Sequence, residues 1–131
     1  MKTFGPTTPG QRQRSVVDYS VLSKKEPEKS LTFGRKRRMG RSTRGRITVR
    51  HKGGGSKRLY REIDFRQDKM GIPGRIASIE YDPNRSGFIA LAVYRDGEKR
   101  YVLATKHMKE GDTVLTSAEA PLEEGNRMPL E

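Results

Sequence analysis

The sequence contains no cysteine and no tryptophan, and it has no long apolar run. Without cysteine, the chain has no disulfide, no thiolate zinc site and no cysteine nucleophile. No apolar stretch approaches the roughly 18 residues that a transmembrane helix requires, so no membrane partner is predicted. Hydrophobic residues make up 31% of the chain, and there are 14 Gly and 7 Pro, so long loops and many turns are expected.

Acidic residues are scarce in the first half of the chain. Residues 1–58 hold 17 Lys and Arg against 3 Asp and Glu, a formal charge of +14. Residues 59–131 hold 11 against 13, a formal charge of −2. This asymmetry indicates a polyanionic partner for the first half. Nucleic acid is the leading candidate, because each neutralised phosphate releases a condensed counterion.

The basic block at residues 34–58, GRKRRMGRSTRGRITVRHKGGGSKR, has eight Arg, three Lys and no acid. Glycines between the basic residues allow an extended backbone to bend and to approach a phosphate or a base closely. The planar arginine fork suits bidentate phosphate contacts and stacking on bases. The alternative interpretation is a solvated basic tail or a targeting signal.

Most candidate RNA-binding residues lie in this block and just after it. His51 and Tyr60 could stack on unpaired bases, which is how RNA is usually recognised. Packing on the rim of the folded domain is an equally good interpretation of Tyr60. The candidates are Arg35, Lys36, Arg37, Arg38, Arg41, Arg44, Arg46, Arg50, His51, Lys52, Gly53, Gly54, Gly55, Lys57, Arg58, Tyr60 and Arg61.

The second half alternates like a series of strands. Five runs are predicted, at residues 59–65, 74–81, 88–94, 99–104 and 113–115, and Ile79 and Tyr81 are expected to point inward. Asp96-Gly97 predicts a hairpin, since both residues tolerate positive φ. Five short strands in so few residues suggest a small closed or nearly closed barrel of OB-like or SH3-like size.

These patterns divide the chain into three parts. Residues 1–58 are predicted to be a basic extension that threads through RNA, 59–117 a barrel, and 118–131 a linker. The fold class is therefore mainly β, a small five-stranded barrel with a long irregular basic N-terminal extension. The extension has too little apolar surface to offset the entropy of ordering by itself.

No catalytic constellation is evident. The glycine run at 53–55 lacks the spacing of a nucleotide-binding loop, and no carboxylate cluster accompanies His51 or His107. The prediction is a non-enzyme without a metal, a cofactor or a small-molecule substrate.

Several phrases resemble a known family in their order along the chain. They are Thr8-Pro9-Gly10-Gln11-Arg12, then GRITVRHKGGGSKRLYREIDF at 45–65, GIPGRIASIEYDPNRSGFIALAVYRDGEKRYVLA at 71–104, and finally GDTVL and EEGNRMPL. Together they resemble the second protein of the large ribosomal subunit, a universal ribosomal RNA-binding family. The resemblance runs from about Thr8 to Leu130, although residues 13–44 match mainly in basic character.

This resemblance implies an OB-like barrel behind the basic extension. It implies a structural component of the large subunit that binds large-subunit ribosomal RNA, neighbours other ribosomal proteins and supports assembly and subunit association. GRITVRHKGGGSKR is then expected to thread through RNA, and Arg85 to contact RNA from a barrel loop. The location is a ribosome, in the bacterial cytoplasm or in the mitochondrial or plastid matrix.

The family is about twice as long as this chain and continues into an SH3-like barrel. Either the chain is a piece of a longer protein, or a separate polypeptide carries the second half; the second possibility is slightly favoured here. No role near the peptidyl-transferase centre is predicted for this part.

A free-standing OB-type protein that binds single-stranded nucleic acid is the alternative function. It requires aromatic side chains exposed for base stacking. Phe88 and Tyr94 share one face of the third predicted strand and could serve, although both could equally belong to the core.

Overall fold

The computed structural model describes residues 1–35, 37–53 and 56–129. It is mainly β, as predicted. All five predicted runs contain a strand, each as long as its run or shorter, and three short strands precede them. The strands are β1 (Lys2–Thr3), β2 (Ser15–Val16), β3 (Thr32–Gly34), β4 (Leu59–Arg61), β5 (Gly74–Glu80), β6 (Ile89–Tyr94), β7 (Lys99–Leu103) and β8 (Thr113–Val114).

Helix is almost absent. Within the described ranges, the single helical element is the three-residue 3-10 turn Lys29–Leu31, so no helix there could cross a bilayer.

A curled antiparallel sheet with strand order β7-β6-β5-β8 forms the barrel wall. A bulge between Ile76 and Ser78 interrupts the pairing of β5 with β6, and bulges bend a strand and increase its twist. The chain after β4 extends the wall at the β7 edge through a parallel bridge between Ile63 and Tyr101. The result is consistent with the predicted five-stranded OB-like barrel.

Strand β6 is buried on both faces, because its alternate side chains enter two core clusters. Ala90, Ala92 and Tyr94 pack in a cluster with Ile76 and Val114 of the neighbouring strands. Ile89 and Leu91 point the other way and pack with Ile63 and Tyr101. The predicted alternation of β6 is therefore confirmed.

Two turns show where short-range prediction succeeded and where it failed. Gly97 has φ of 87°, and the Tyr94 and Glu98 backbones bond across the hairpin, as the Asp96-Gly97 pair predicted. Tyr81 was predicted to point inward, and this is wrong, since the residue is 48% exposed. It follows the last residue of β5, so the alternation of the strand no longer applies to it.

Part of the N-terminal segment packs on the barrel. The backbone N–H of Ser23 donates to the carbonyl of Ile79 at 2.9 Å, and the Ser23 hydroxyl accepts from the Ile79 N–H at 2.9 Å. Leu22 and Leu31 pack against the two core clusters. The division at residue 58 stays a prediction, and several residues between 22 and 34 contact the barrel directly.

The segment after β8 also returns to the barrel. Thr116 bridges both Met70 and Arg127, and the side chain of Asn126 accepts from the Leu115 N–H at 2.8 Å. The predicted linker at 118–131 is therefore tied to the sheet over part of its described length, to residue 129.

A buried polar chain crosses the second core cluster. The hydroxyl of Tyr101 donates to Glu80 at 2.8 Å and accepts from the Glu28 N–H at 2.8 Å. The other oxygen of the Glu80 carboxylate accepts from the Ser78 hydroxyl at 2.9 Å. Burial raises the pKa of Tyr101 well above its usual range, so the hydroxyl stays protonated and can donate.

We expect Tyr101→Phe to lower the free energy of unfolding by about 1–3 kcal/mol. The substitution leaves a buried carboxylate oxygen and a backbone N–H without their shared partner. Urea denaturation followed by circular dichroism measures the change. Tyr81→Phe is the control, since within the described residues the exposed Tyr81 hydroxyl makes no hydrogen bond. Equal stability of the two variants would contradict this account of the buried chain.

Candidate nucleic-acid interface

The middle of the basic block folds into a tight hairpin, which we call the basic hairpin (residues 40–49). Arg41 and Ile47 form an antiparallel bridge, and the Ser42 N–H donates to the Arg46 carbonyl at 2.8 Å. The Gly40 carbonyl accepts from the N–H groups of Thr48 and Val49 at 2.8 and 3.1 Å. The chain here is hydrogen-bonded to itself, in contrast to the extended strand bent at glycines that the sequence predicts.

Gly40 closes the basic hairpin. Its φ is +68°, and a Cβ at this position would lie 2.6 Å from the Val49 carbonyl oxygen. Only glycine fits such a close approach between two backbones. The hairpin therefore depends on a residue without a side chain, and its arginines Arg44 and Arg46 are exposed.

The segments on either side of the basic hairpin line a cleft beside β4. We call it the arginine cleft, and its volume is about 500 Å³. Among the residues that the structure describes, its lining has four arginines, one aromatic ring, one amide and no acidic residue. Its lining residues are Arg35, Arg37, Arg38, Arg58, Tyr60 and Asn84.

Tyr60 lies at the centre of several contacts with cations and rings. The guanidinium carbons of Arg35 and Arg85 lie 5.8 and 5.9 Å from the centre of its ring, within cation–π range. Phe33, paired with Tyr60 across β3 and β4, packs against it with ring centres 5.0 Å apart. Strand pairing thus holds an aromatic ring among arginines, the combination that stacks with bases and attracts phosphates.

The turn after β5 forms one side of the arginine cleft. The side chain of Asn84 donates to the Leu59 carbonyl at 2.9 Å, and Arg58 donates to the Pro83 carbonyl at 2.9 Å. Asp82 is fully buried beneath the turn and accepts from the Arg85 Nε at 2.5 Å. These bonds attach the turn to the start of β4, about 25 residues earlier in the chain.

The arginines of the cleft differ electrostatically from the basic residues of the barrel. On the barrel, Arg100 pairs with Asp64 at 2.8 Å and Glu98 at 2.6 Å, and also with Asp68, while Lys69 pairs with Asp96 and Glu98. Within the described ranges, none of the four cleft arginines forms an ion pair with a carboxylate. Their charge is therefore available to an external anion.

The ion pairs on the barrel shift the pKa values of the groups that form them. Burial by itself would raise the pKa of Asp64, but hydrogen bonds from Arg100 and the Gln67 N–H, with the arginine charge, hold that pKa below its usual value. The hydrogen bonds that Arg100 donates to Asp64, Glu98 and Asp68 raise the pKa of its guanidinium. The charges of Arg100 and Lys69 on the barrel are thus compensated by carboxylates of the protein itself.

Apart from Arg61, the predicted RNA-binding residues fall into three groups in the structure. Arg35, Arg37, Arg38, Arg58 and Tyr60 meet in the arginine cleft, and Arg85 lies over the Tyr60 ring. Lys36, Gly54 and Gly55 lie outside the described residues. The remaining exposed candidates lie on or next to the basic hairpin or on the approach to β4, namely Arg41, Arg44, Arg46, Arg50, His51, Lys52, Gly53 and Lys57.

Arg61 is partly withdrawn from the surface. One of its terminal nitrogens donates to the Leu59 carbonyl at 2.9 Å, and its buried Nε has no partner among the described residues. Its place on β4 is next to Tyr60, but it does not line the cleft.

Sequence reasoning missed two contributors to the arginine cleft. Neither Asn84 nor Phe33 is among the residues that the sequence predicts to bind RNA. The signal was the Asp-Pro-Asn-Arg phrase at 82–85, whose acid, amide and guanidinium suit a self-bonded turn.

Two further observations bear on the other functions considered. Tyr94 is buried, and the half-buried Phe88 packs against the first core cluster, so the face proposed for base stacking belongs largely to the core. Among residues 1–35, 37–53 and 56–129, no group of three or more His, Asp or Glu side chains could hold a metal ion.

Comparison with known proteins identifies the class of molecule. The family model described as "Ribosomal Proteins L2, RNA binding N-terminal domain" matches residues 28–116. The chain therefore belongs to this ribosomal protein family, and the resemblance stated above is confirmed.

A relative with a curated description is similar over nearly the whole chain. The large ribosomal subunit protein uL2 of Hyphomonas neptunium is 52% identical over 130 residues. The aligned region covers 99% of this chain and 47% of that protein. The chain thus spans about half the length of the curated relative it matches.

Proposed function

We propose that this chain is a structural, non-enzymatic component of the large ribosomal subunit that binds large-subunit ribosomal RNA. The observation that carries the proposal is the arginine cleft, where four arginines without carboxylate partners in the described structure surround an aromatic ring. Its family membership and its 52% identity to a large-subunit protein support the same assignment.

In this proposal, two surfaces of the protein contact RNA in different ways. The arginine cleft binds phosphates and an unpaired base beside Tyr60, while the basic hairpin inserts between RNA segments and screens their mutual repulsion. The barrel anchors both surfaces through β4 and the turn at 82–85. Assembly and subunit association would be supported because the bound protein holds neighbouring RNA segments together.

The partners follow from the same assignment. We place the chain in the bacterial large subunit, because the relative is a bacterial protein, and beside neighbouring ribosomal proteins. We also propose that the second half of the family's length acts together with this part, either on the same polypeptide or on a separate one. Mass spectrometry of purified large subunits distinguishes these two arrangements.

We expect the affinity of this chain for large-subunit ribosomal RNA to depend steeply on salt. If roughly eight phosphates are contacted, the slope of log affinity against log salt concentration lies between about −6 and −7. Filter binding between about 50 and 200 mM KCl measures the slope. A slope of about −2 would contradict the proposed interface, because it corresponds to contacts with only two or three phosphates.

The free-standing single-strand binder predicts a different result in the same assay. It would bind unrelated single strands, such as poly(U), as tightly as ribosomal RNA. We expect ribosomal RNA to bind more tightly, since the aromatic face required by that alternative lies largely in the core.

A further inference from the structure

We infer that Asp82 is a positioning residue for the arginine cleft, which it serves by orienting Arg85 and Asn84 without touching the ligand. This inference rests on the proposed function, because the cleft must first bind RNA. It goes beyond that proposal by assigning specificity for structured RNA to a buried acid that carries the opposite charge to the surface above it.

Hydrogen-bond donors of the turn occupy both oxygens of the Asp82 carboxylate. One oxygen accepts from the Arg85 Nε at 2.5 Å. The other accepts from the Asn84 backbone N–H at 2.9 Å and from the Asn84 side-chain amide at 3.3 Å. Asp82 is 0% exposed, so no ligand can reach these oxygens without unfolding the turn.

These bonds determine where Arg85 can point. Its Nε faces the buried acid, and its guanidinium lies 5.9 Å from the Tyr60 ring centre and 5.7 Å from that of Phe65. Within the described part of the chain, its two terminal amino groups donate to no acceptor. Arg85 is thus oriented through one nitrogen while the two that form a bidentate fork remain available to a phosphate or a base edge.

The same acid also acts on Asn84. The Asn84 side-chain amide donates to the Asp82 carboxylate at 3.3 Å and to the Leu59 carbonyl at 2.9 Å. The second bond connects the turn to β4 at the residue before Tyr60. A buried carboxylate is costly unless it is paired and fully hydrogen-bonded. The three donors offset that cost, and their bonds hold the turn in a single geometry at the edge of the cleft.

The sign of the mutational effect separates positioning from simple electrostatics. Asp82→Asn removes one negative charge from beneath a polyanion-binding surface, so charge alone predicts tighter binding to every RNA. Loss of positioning predicts weaker binding to structured ribosomal RNA, because Arg85 then samples other orientations. The control is Glu119→Gln, which makes the same charge change at an exposed residue outside the arginine cleft.

The experiment measures affinities of this chain for two probes, transcribed large-subunit ribosomal RNA of Hyphomonas neptunium and poly(U). We expect Asp82→Asn to bind the ribosomal RNA about tenfold more weakly while binding poly(U) as tightly as before or more tightly. Glu119→Gln is expected to bind both probes slightly more tightly. Ribosomal RNA affinity of Asp82→Asn equal to or above that of the unmodified chain would overturn the inference.

A second variant covers the case in which Asp82→Asn fails to fold, as judged by its circular dichroism spectrum. Arg85→Lys keeps the charge but cannot hold the acid with one nitrogen and present a planar fork with two others. We expect it also to lose about tenfold for ribosomal RNA and to keep its poly(U) affinity. Unchanged ribosomal RNA binding by Arg85→Lys would likewise overturn the inference.

The result for the unmodified chain distinguishes failure of the proposed function from failure of the inference about Asp82. If it binds ribosomal RNA no better than poly(U), the proposed function fails first. If it prefers ribosomal RNA and both variants retain that preference, the function stands and the role of Asp82 is rejected.

Discussion

Replacing the four arginines of the arginine cleft by glutamine is expected to weaken binding to large-subunit ribosomal RNA by about 200- to 1,000-fold at about 0.15 M salt. If each arginine neutralises one phosphate, the loss of four contacts makes the slope of log affinity against log salt less steep by about 2.8 to 3.6. The two chains are taken to have equal affinity at about 1 M salt, where the counterion contribution vanishes. Applying the difference in slope from there down to about 0.15 M gives the stated loss of affinity.

The matched control removes the same charge from elsewhere. Its four exposed arginines lie outside the cleft, and they are Arg12, Arg14, Arg75 and Arg95. We expect this control to lose much less affinity, because charges more than a Debye length from a phosphate are largely screened. Equal losses in the two variants would mean that the chain binds RNA through its net charge and not through the cleft.

The expected fold stability of the cleft variant is a further test. The four side chains are exposed and form no ion pair in the described ranges, so their replacement relieves repulsion between like charges and removes one exposed hydrogen bond, from Arg58 to the Pro83 carbonyl. The unfolding midpoint should therefore change only slightly. A large drop in stability would show that these arginines support the fold, and the affinity loss would then need a different explanation.

The second large effect concerns the core. Ile89→Ala should lower the free energy of unfolding by about 2–5 kcal/mol. Ile89 is 0% exposed and packs with Leu91 and Tyr101, so truncation both loses apolar burial and leaves a cavity. Urea denaturation with a fluorescence or circular dichroism readout measures it, and Leu122→Ala, at a side chain that is 93% exposed, is the control.

This loss is a large share of the 5–15 kcal/mol that typically stabilises a domain. Ribosomal RNA should partly restore the variant, because a ligand present at about 100 times its dissociation constant stabilises the folded state by about 2.7 kcal/mol. If Ile89→Ala were as stable as Leu122→Ala, the second core cluster would not be a packed core.

Much of the barrel could be predicted because its signals are local. A strand with alternate residues buried on its two faces shows period two in the sequence, and the predicted alternation of β6 matches its two core clusters. The Asp96-Gly97 turn needed only two residues to be recognised. Prediction failed at Tyr81, just beyond the end of β5, where the strand period no longer applies.

The basic block was harder to predict because its structure depends on backbone contacts. Nothing in the spacing of arginines shows that Gly40 and Val49 approach within a distance that excludes a Cβ. Similarly, the pairing of β3 with β4 brings Phe33 against Tyr60 across an intervening segment of 26 residues, which includes the whole basic hairpin. Such pairings are determined by which strands meet, and short sequence patterns do not encode that.

By itself, the sequence determined the chemical character of this protein: a basic first half, a barrel-forming second half and a family signature that runs through both. Those properties follow from composition, periodicity and residue order, all of which are local or additive. The tertiary structure alone decided which cations remain available to a ligand. Arg100 and Lys69 are neutralised because folding places acids beside them, whereas the cleft arginines, within the described structure, have no such partners. Electrostatic pairing depends on distances of a few ångströms between residues far apart in the chain, and only the fold sets those distances.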